Sequence, residues 1–228
     1  MSLVNTSSRR TKRTSLCVRT IDGGHREFLV GDRFSWSFRM HYHAGDEIVH
    51  MLAGRALLRT RQTSRIVEAG ETAVVPAGTI HRFEAVDRYG WSFASQFVLR
   101  CGTQRSAPSI ADRSEDLMSR INALLSDRHS LRTDVAQIAD AFAISKGYLS
   151  RRFRLESGTS LHDFHVVIAV HHAKALLKQG ANIVDAALDA GFYDQAHLSR
   201  EFVRTYGFTP GAFRNAWLSA PSLAHARH

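Results

Sequence analysis

The feature that most constrains this chain is an internal repeat in its second half. Residues 135–153 and 184–202 match at a constant offset of 49: Val135 with Val184, Asp140 with Asp189, Ala141 with Ala190, Leu149-Ser150-Arg151 with Leu198-Ser199-Arg200, and Phe153 with Phe202. A fixed offset over such a span implies two copies of one supersecondary unit. Each copy reads as helix–turn–helix. In the first, Val135–Phe142 is a helix capped by Thr133 or Asp134, and Ala143-Ile144 is the turn. Ser145 then caps a second helix that runs to about Glu156 and stops at Gly158. In the second copy Ile183–Ala190 is helical, Gly191-Phe192-Tyr193 turns, Asp194 caps, and the second helix runs from Gln195 to Tyr206 before Gly207.

On these second helices the i,i+4 pairs Leu149/Phe153 and Leu198/Phe202 mark the buried face. Ser150, Arg151 and Arg154 then point outward on one, and Ser199, Arg200 and Arg204 on the other. A lone arginine on a helix is usually just solvated. Arginines at matching positions of a duplicated helix–turn–helix point to double-stranded DNA. A guanidinium reads guanine O6 and N7 bidentately, and Ser, Arg or Lys near a helix start, such as Lys146, can hold phosphates. Between the units Ser160–Lys178 reads as one helix of about 19 residues, hence about 28 Å long. Such a strut sets two recognition helices near the ~34 Å repeat of successive major grooves.

Here a resemblance becomes specific. Residues 112–217 resemble the DNA-binding domain of the AraC/XylS family of bacterial transcription regulators. The residues that carry it are Ile138-Ala139, Leu149-Ser150-Arg151-Arg152-Phe153 and Gly158 in the first unit. In the second they are Ala187, Ala190-Gly191-Phe192, Leu198-Ser199-Arg200, Phe202, and Tyr206-Gly207-Phe208-Thr209-Pro210 through Arg214. The resemblance implies base-reading positions at Gly147, Ser150 and Arg151, and at Gln195, Ala196 and Arg200. Gly147 and Ala196 are small, so it implies fewer base contacts than where those positions are large. The linker helix departs from the family by carrying Val166-Val167-Ile168-Ala169 where an arginine is common, which reads as extra core or as a contact to the first half.

The first half has a different period. Short alternating stretches, Phe34–Met40, Ile66–Ala69, Thr72–Val75 and Trp91–Val98, are punctuated by Gly31, Gly45, Gly54, Gly70, Gly78 and Gly90, as in a sandwich or barrel. His41-Tyr-His43, Glu47 and Gly54 are spaced H-x-H-x3-E-x6-G, and Gly70, Pro76, Gly78 and His81 are spaced G-x5-P-x-G-x2-H. On a strand His41 and His43 share a side, and three imidazoles plus a carboxylate suit a divalent transition metal. Both spacings are similar to the motifs of the cupin superfamily, with Ala85 where the final Asn would stand. In related sensor domains such residues hold either a metal or an organic effector, and both options stand. His41, His43, Glu47 and His81 are the pocket candidates, with Arg39 and Trp36 as effector-binding neighbours and His50 a weaker one. His162, His165, His171 and His172 on the linker helix complete no ligand set and read as its solvent side.

The fold expected is therefore α+β and multidomain. It comprises a basic arm (1–14), a small cupin-like β-barrel (15–100), a connection (101–111), a tandem helix–turn–helix domain (112–218) and a tail (219–228). Net charge is +9, but residues 1–107 contribute +7 and residues 108–228 only +2. Bulk charge is thus a poor guide to DNA binding, and local patterning has to decide. No apolar run approaches a membrane span, and two distant cysteines, Cys17 and Cys101, suit a reduced, cytoplasmic protein. The reading is a transcription regulator, not an enzyme, that answers to a small polar effector and requires no cofactor. RNA polymerase is the further partner, an activator role is expected, and assembly is a homodimer through the barrel or a monomer. Its rival is a metal-dependent cupin enzyme, dioxygenase or isomerase in type, fused to a DNA-binding domain. A third reading is a constitutive DNA binder with a vestigial barrel. By resemblance, the arm is a moving part.

Overall fold

The computed structural model describes residues 13–21, 24–34, 38–98, 120–121, 124, 131 and 134–219. Most of the basic arm, Trp36, Cys101, the connection at 101–111 and all of the tail except Ser219 lie outside these residues. Eight strands come first: β1 (Arg13–Ile21), β2 (Gly24–Phe34), β3 (Asp46–Ala53), β4 (Arg55–Thr60), β5 (Ser64–Glu68), β6 (Thr72–Val75), β7 (His81–Ala85) and β8 (Trp91–Val98). They form two antiparallel sheets, ordered β1-β2-β8-β3-β6 and β5-β4-β7. Leu29, Val49, Met51, Phe83, Trp91 and Phe93 fill the inside by strict alternation. Gly54, between β3 and β4, has φ +72° and lies so close to Gly90 that a Cβ would sit 2.5 Å from its carbonyl oxygen. Only glycine fits there.

Six helices follow among the described residues: α1 (Val135–Ala141), α2 (Lys146–Ser157), α3 (Leu161–Lys178), α4 (Ile183–Asp189), α5 (Gln195–Tyr206) and α6 (Pro210–Leu218). The repeat is α1–α2 against α4–α5. Its punctuation is repeated too. Ser145 and Asp194 cap the second helices, accepting from Tyr148 N at 3.1 Å and His197 N at 2.6 Å. Gly158 and Gly207 end them in the left-handed conformation, at φ 74° and 80°. Leu149, Phe153, Leu198 and Phe202 are completely buried. At 18 residues, α3 is about 27 Å long.

Of the expected strand over Phe34–Met40, residues 35–37 lie outside the described residues and Phe38–Met40 are not strand. β2 stops at Phe34, and after it the chain touches the β7 region through Phe38 N to Phe83 O at 3.0 Å and an isolated bridge between His41 and His81. The two parts of the chain also pack more intimately than a short connection implies. One continuous core runs from Leu29, Phe93 and Trp91 through Val166, Ala169 and Val170 of α3 to Phe202, Phe208 and Phe213. The apolar start of α3 is therefore core, with Val166, Val167 and Ile168 all buried. His165 is buried, and His171 packs between Tyr42 (ring centroids 4.6 Å) and Tyr206 (5.9 Å). His162 is exposed and His172 half-buried, and the solvent side expected for the linker-helix histidines fails at His165 and His171, because α3 is sandwiched between the helical units and the sheets.

Candidate functional site

Three regions carry chemistry. The first is the pair of recognition helices. Lys146, Gly147, Arg151 and Arg154 are exposed on α2, with Ser150 half-buried. Gln195, Ala196, Arg200 and Arg204 are exposed on α5, with Ser199 half-buried. A Cβ on Gly147 would lie 3.7 Å from the Arg151 guanidinium, so this small residue leaves that arginine lying along the first turn. Arg204 differs from the rest, since its guanidinium meets Glu201 at 3.1 Å. Arg154 and Arg204 also line a cleft against the sheets.

The second region lies inside the β domain. His41, His43, Glu47 and His81 are all buried, and one donor atom from each lies within 4.8 Å of all the others. Three different segments supply them: the bridge and turn that carry His41 and His43, the start of β3 at Glu47, and the start of β7 at His81. His41 Nδ1 lies 2.6 Å from the Arg39 carbonyl oxygen and His81 Nδ1 lies 2.8 Å from that of Thr79. Each ring therefore donates its Nδ1 proton to backbone and turns Nε2 inward. His81 Nε2 stands 2.9 Å from Glu47 Oε2, and Ser95 Oγ donates to Glu47 Oε1 at 2.7 Å. His43 Nε2 is buried without a hydrogen-bond partner and lies 3.6 Å from Glu47.

Burial, and then the neighbouring His81 and His43, push the His41 pKa well below the ordinary imidazole value. Burial also lowers His43, against the pull of Glu47. For Glu47 burial acts upward, but the facing His43 and His81 outweigh it and hold the carboxyl well below the usual range. Three imidazoles converging on a carboxylate, with one orphaned ring nitrogen, are the donor set a divalent transition metal takes. The residues fit such an ion.

The cavity at this cluster has a free volume of about 20 Å³, room for one water or ion. Its walls include Phe38, Trp91, Phe97 and, from the last turn of α5, Thr205 and Tyr206. Two of the sequence-derived neighbours are not there. His50 faces out of β3 and pairs with Thr72 Oγ1 at 2.9 Å. Arg39 leaves the pocket because the strand ends before it, and its guanidinium binds Asp163 of α3 and Glu201 of α5, each at 2.5 Å. Trp36 lies outside the described residues.

The third region, missed in the sequence, joins the two halves. Glu27 of β2 is buried and binds Lys174 Nζ at 2.5 Å and Lys178 Nζ at 3.0 Å. Both ammonium groups also sit over aromatic faces, Lys174 at 4.3 Å from the Tyr206 ring and Lys178 at 4.1 Å from the Trp217 ring. Lys174 and Lys178 are i,i+4 on α3, which is the one signal the sequence offered. Their partner stands 147 residues away from Lys174.

Fold and sites together define a two-domain protein, a metal-capable cupin domain fused to a tandem helix–turn–helix domain. Residues 138–216 match the family described as helix-turn-helix domain, and residues 30–88 match the cupin domain family. The chain thus carries an AraC-type helix-turn-helix domain after a cupin domain. The HTH-type transcriptional regulator GlxA of Rhizobium meliloti (strain 1021) is 30% identical over 152 residues, covering 62% of this chain and 47% of that protein. MtrA of Neisseria gonorrhoeae, also named an HTH-type transcriptional regulator, is 30% identical over 82 residues, 36% of this chain and 27% of its own. The chain spans less than half the length of these curated relatives. In fold it is similar to ToxT from Vibrio cholerae O395, with a TM-score of 0.53, 11% identity, and coverage of 93% of this chain and 100% of that one. Among the described residues, no helix is long and apolar enough to cross a membrane.

Proposed function

We propose that this protein is a sequence-specific DNA-binding transcription regulator whose cupin domain senses a ligand. The observation that carries the reading is the duplicated recognition helix, with Arg151 and Arg200 exposed at matching positions while Leu149, Phe153, Leu198 and Phe202 are buried beneath them. Arg151 and Arg200 are the base readers, and Lys146, Ser150, Gln195 and Ser199 hold phosphates or flanking base edges. The relatives named HTH-type transcriptional regulators support it. Arg200→Ala should cost about 1–3 kcal/mol of specific binding and relax preference at one base position. Binding measured against a panel of single-base operator variants checks this. An equal loss on every sequence would reduce Arg200 to a phosphate contact.

The ligand at the barrel cluster is a divalent transition metal held by His41, His43, Glu47 and His81. Bound there, it would take up the orphaned His43 nitrogen and balance the Glu47 charge. With the side chains as placed, a cavity of about 20 Å³ holds little beside the ion itself. An organic effector would have to displace side chains to enter, and Tyr206 is the wall nearest to DNA function. ToxT from Vibrio cholerae strain SCE256, similar in fold, has been solved with an unsaturated fatty acid bound, which supports a ligand-responsive role here. Either occupant presses on Thr205 and Tyr206, the turn that ends the helix carrying Arg200. Coupling then follows from different ligand affinity in two arrangements of α5. Purified protein should hold about one metal ion per chain, and with the metal in hundredfold excess over its dissociation constant should gain about 2.7 kcal/mol of stability. Elemental analysis, with chelation followed by thermal melting, checks this. His81→Ala should abolish the metal-dependent shift.

A further inference from the structure

Outside the barrel cluster, a cleft of about 680 Å³ lies between the sheets and the helices. Its lining is unusual for its charge. Arg59, Arg61 and Arg82 reach it from the β4–β5 hairpin and β7, Arg39 from the segment after β2, Arg154 from α2 and Arg204 from α5. The carboxylates that pair with them are few. Asp163 and Glu201 share Arg39, Glu201 also takes Arg204 at 3.1 Å, and Glu84 is shared by Arg59 at 2.6 Å and Arg82 at 2.7 Å. Six guanidiniums against three carboxylates leave an excess of three positive charges among the described residues. The start of α3 opens into the same recess through Thr159 and Ser160, adding the positive end of an 18-residue helix. The hairpin tip is held against it, since a Cβ on Gly158 would lie 3.9 Å from Arg61 Cα.

We infer that this interdomain cleft is a second ligand site, one for a small, multiply charged anion such as a phosphate ester or a polycarboxylate. Guanidiniums bind both groups bidentately, and the volume suits a ligand of nucleotide size. Arg39, the deepest of the six, is only 14% exposed. A recess that deep is open to a small molecule more than to the backbone of a rigid duplex, and with Arg39 taken up by Asp163 and Glu201 its open charge is that of Arg61 and Arg154. The anion would be clasped by the sensor sheets on one side and by the ends of both recognition helices on the other. It would therefore fix how the two domains sit, and its binding would be coupled to DNA affinity. The site stands on its own charge and shape, whether or not the barrel holds a metal.

The test titrates sodium tripolyphosphate, and separately citrate, into the full chain by calorimetry at constant ionic strength. A saturable one-to-one isotherm is expected. It should weaken by at least about tenfold in the Arg61→Ser/Arg154→Ser double variant, whose two residues are exposed and make no ion pair among the described residues. Whichever of the two anions binds more tightly names the ligand class. Should the double variant melt well below the parent, Arg61→Ser alone, at the hairpin tip, must still weaken binding. Absence of saturable heat, or equal affinity in parent and variants, overturns the site. So does a variant that leaves the anion isotherm unchanged but weakens DNA binding and flattens its salt dependence, which would assign these arginines to DNA phosphates.

Discussion

Replacing Glu27 by Gln should destabilise the folded protein by about 3 kcal/mol, because it leaves two part-buried ammonium groups without their buried counter-charge. Lys174 and Lys178 both converge on this carboxylate across the seam between the halves. For Glu27 burial acts upward, yet the two lysines bring its pKa from 4.5 down to about 2. Burial, with repulsion from Lys178, lowers Lys174 from 10.5 to about 8 despite its partner. Both groups of the pair thus shift downward, one through attraction and the other through desolvation. The sign of the acid effect follows from Glu27. A depressed carboxylate stabilises the fold fully above about pH 4.5, and that contribution fades as pH falls toward about 2. Parent protein should therefore lose about 3 kcal/mol across that window beyond what Glu27→Gln loses. The cost of the substitution should also be smaller above about pH 8, where Lys174 is neutral and only Lys178 still faces the missing carboxylate. Urea melts of both proteins from acid to mildly alkaline pH check this. A pH-independent difference would mean that the contact is only packing.

Phe202→Ala is the other large effect, expected at about 3–5 kcal/mol. The ring is completely buried and lies near Tyr206 at 4.9 Å, Phe208 at 5.8 Å and Phe213 at 6.0 Å between centroids. It belongs to the same core as Leu29 and Trp91 of the β domain. The cavity left behind should therefore loosen the seam as well as the second helix–turn–helix unit. Phe153→Ala, at the matching position of the first unit, removes a ring from a separate cluster around Ile138, Leu149 and Phe164. Hydrogen exchange should then show protection lost in α5, α6 and the sheets for Phe202→Ala, and mainly in α1 and α2 for Phe153→Ala. Equal patterns in the two variants would contradict the assignment of the cores.

Much of the helical half was legible because its signals are local. The caps Asp134, Ser145 and Asp194 and the stops Gly158 and Gly207 are chosen by backbone geometry within a few residues. The four-residue donor set of the barrel was legible too, as a spacing that turns and strand ends bring together. What the sequence hid is contact between distant segments. Arg39 looked like a continuation of a strand lining the pocket, and the end of β2 at Phe34 sends it to Asp163 and Glu201 instead. His165 and His171 looked solvated because an amphipathic helix is expected to have one wet face. α3 has protein on both sides, and only the assembled seam reveals it. Glu27 gave no signal at all, since a charged residue in a strand is ordinarily on the outer face.

The central claim is that α2 and α5 read one duplex as a matched pair. Selection of binding sites from a randomised duplex library, for the parent, Arg151→Ala and Arg200→Ala, tests it most directly. Each variant should lose preference at its own base position, and the two positions should lie about one helical turn, roughly 10 base pairs, apart. Loss at the same position in both variants, or uniform weakening with the sequence preference intact, would contradict it.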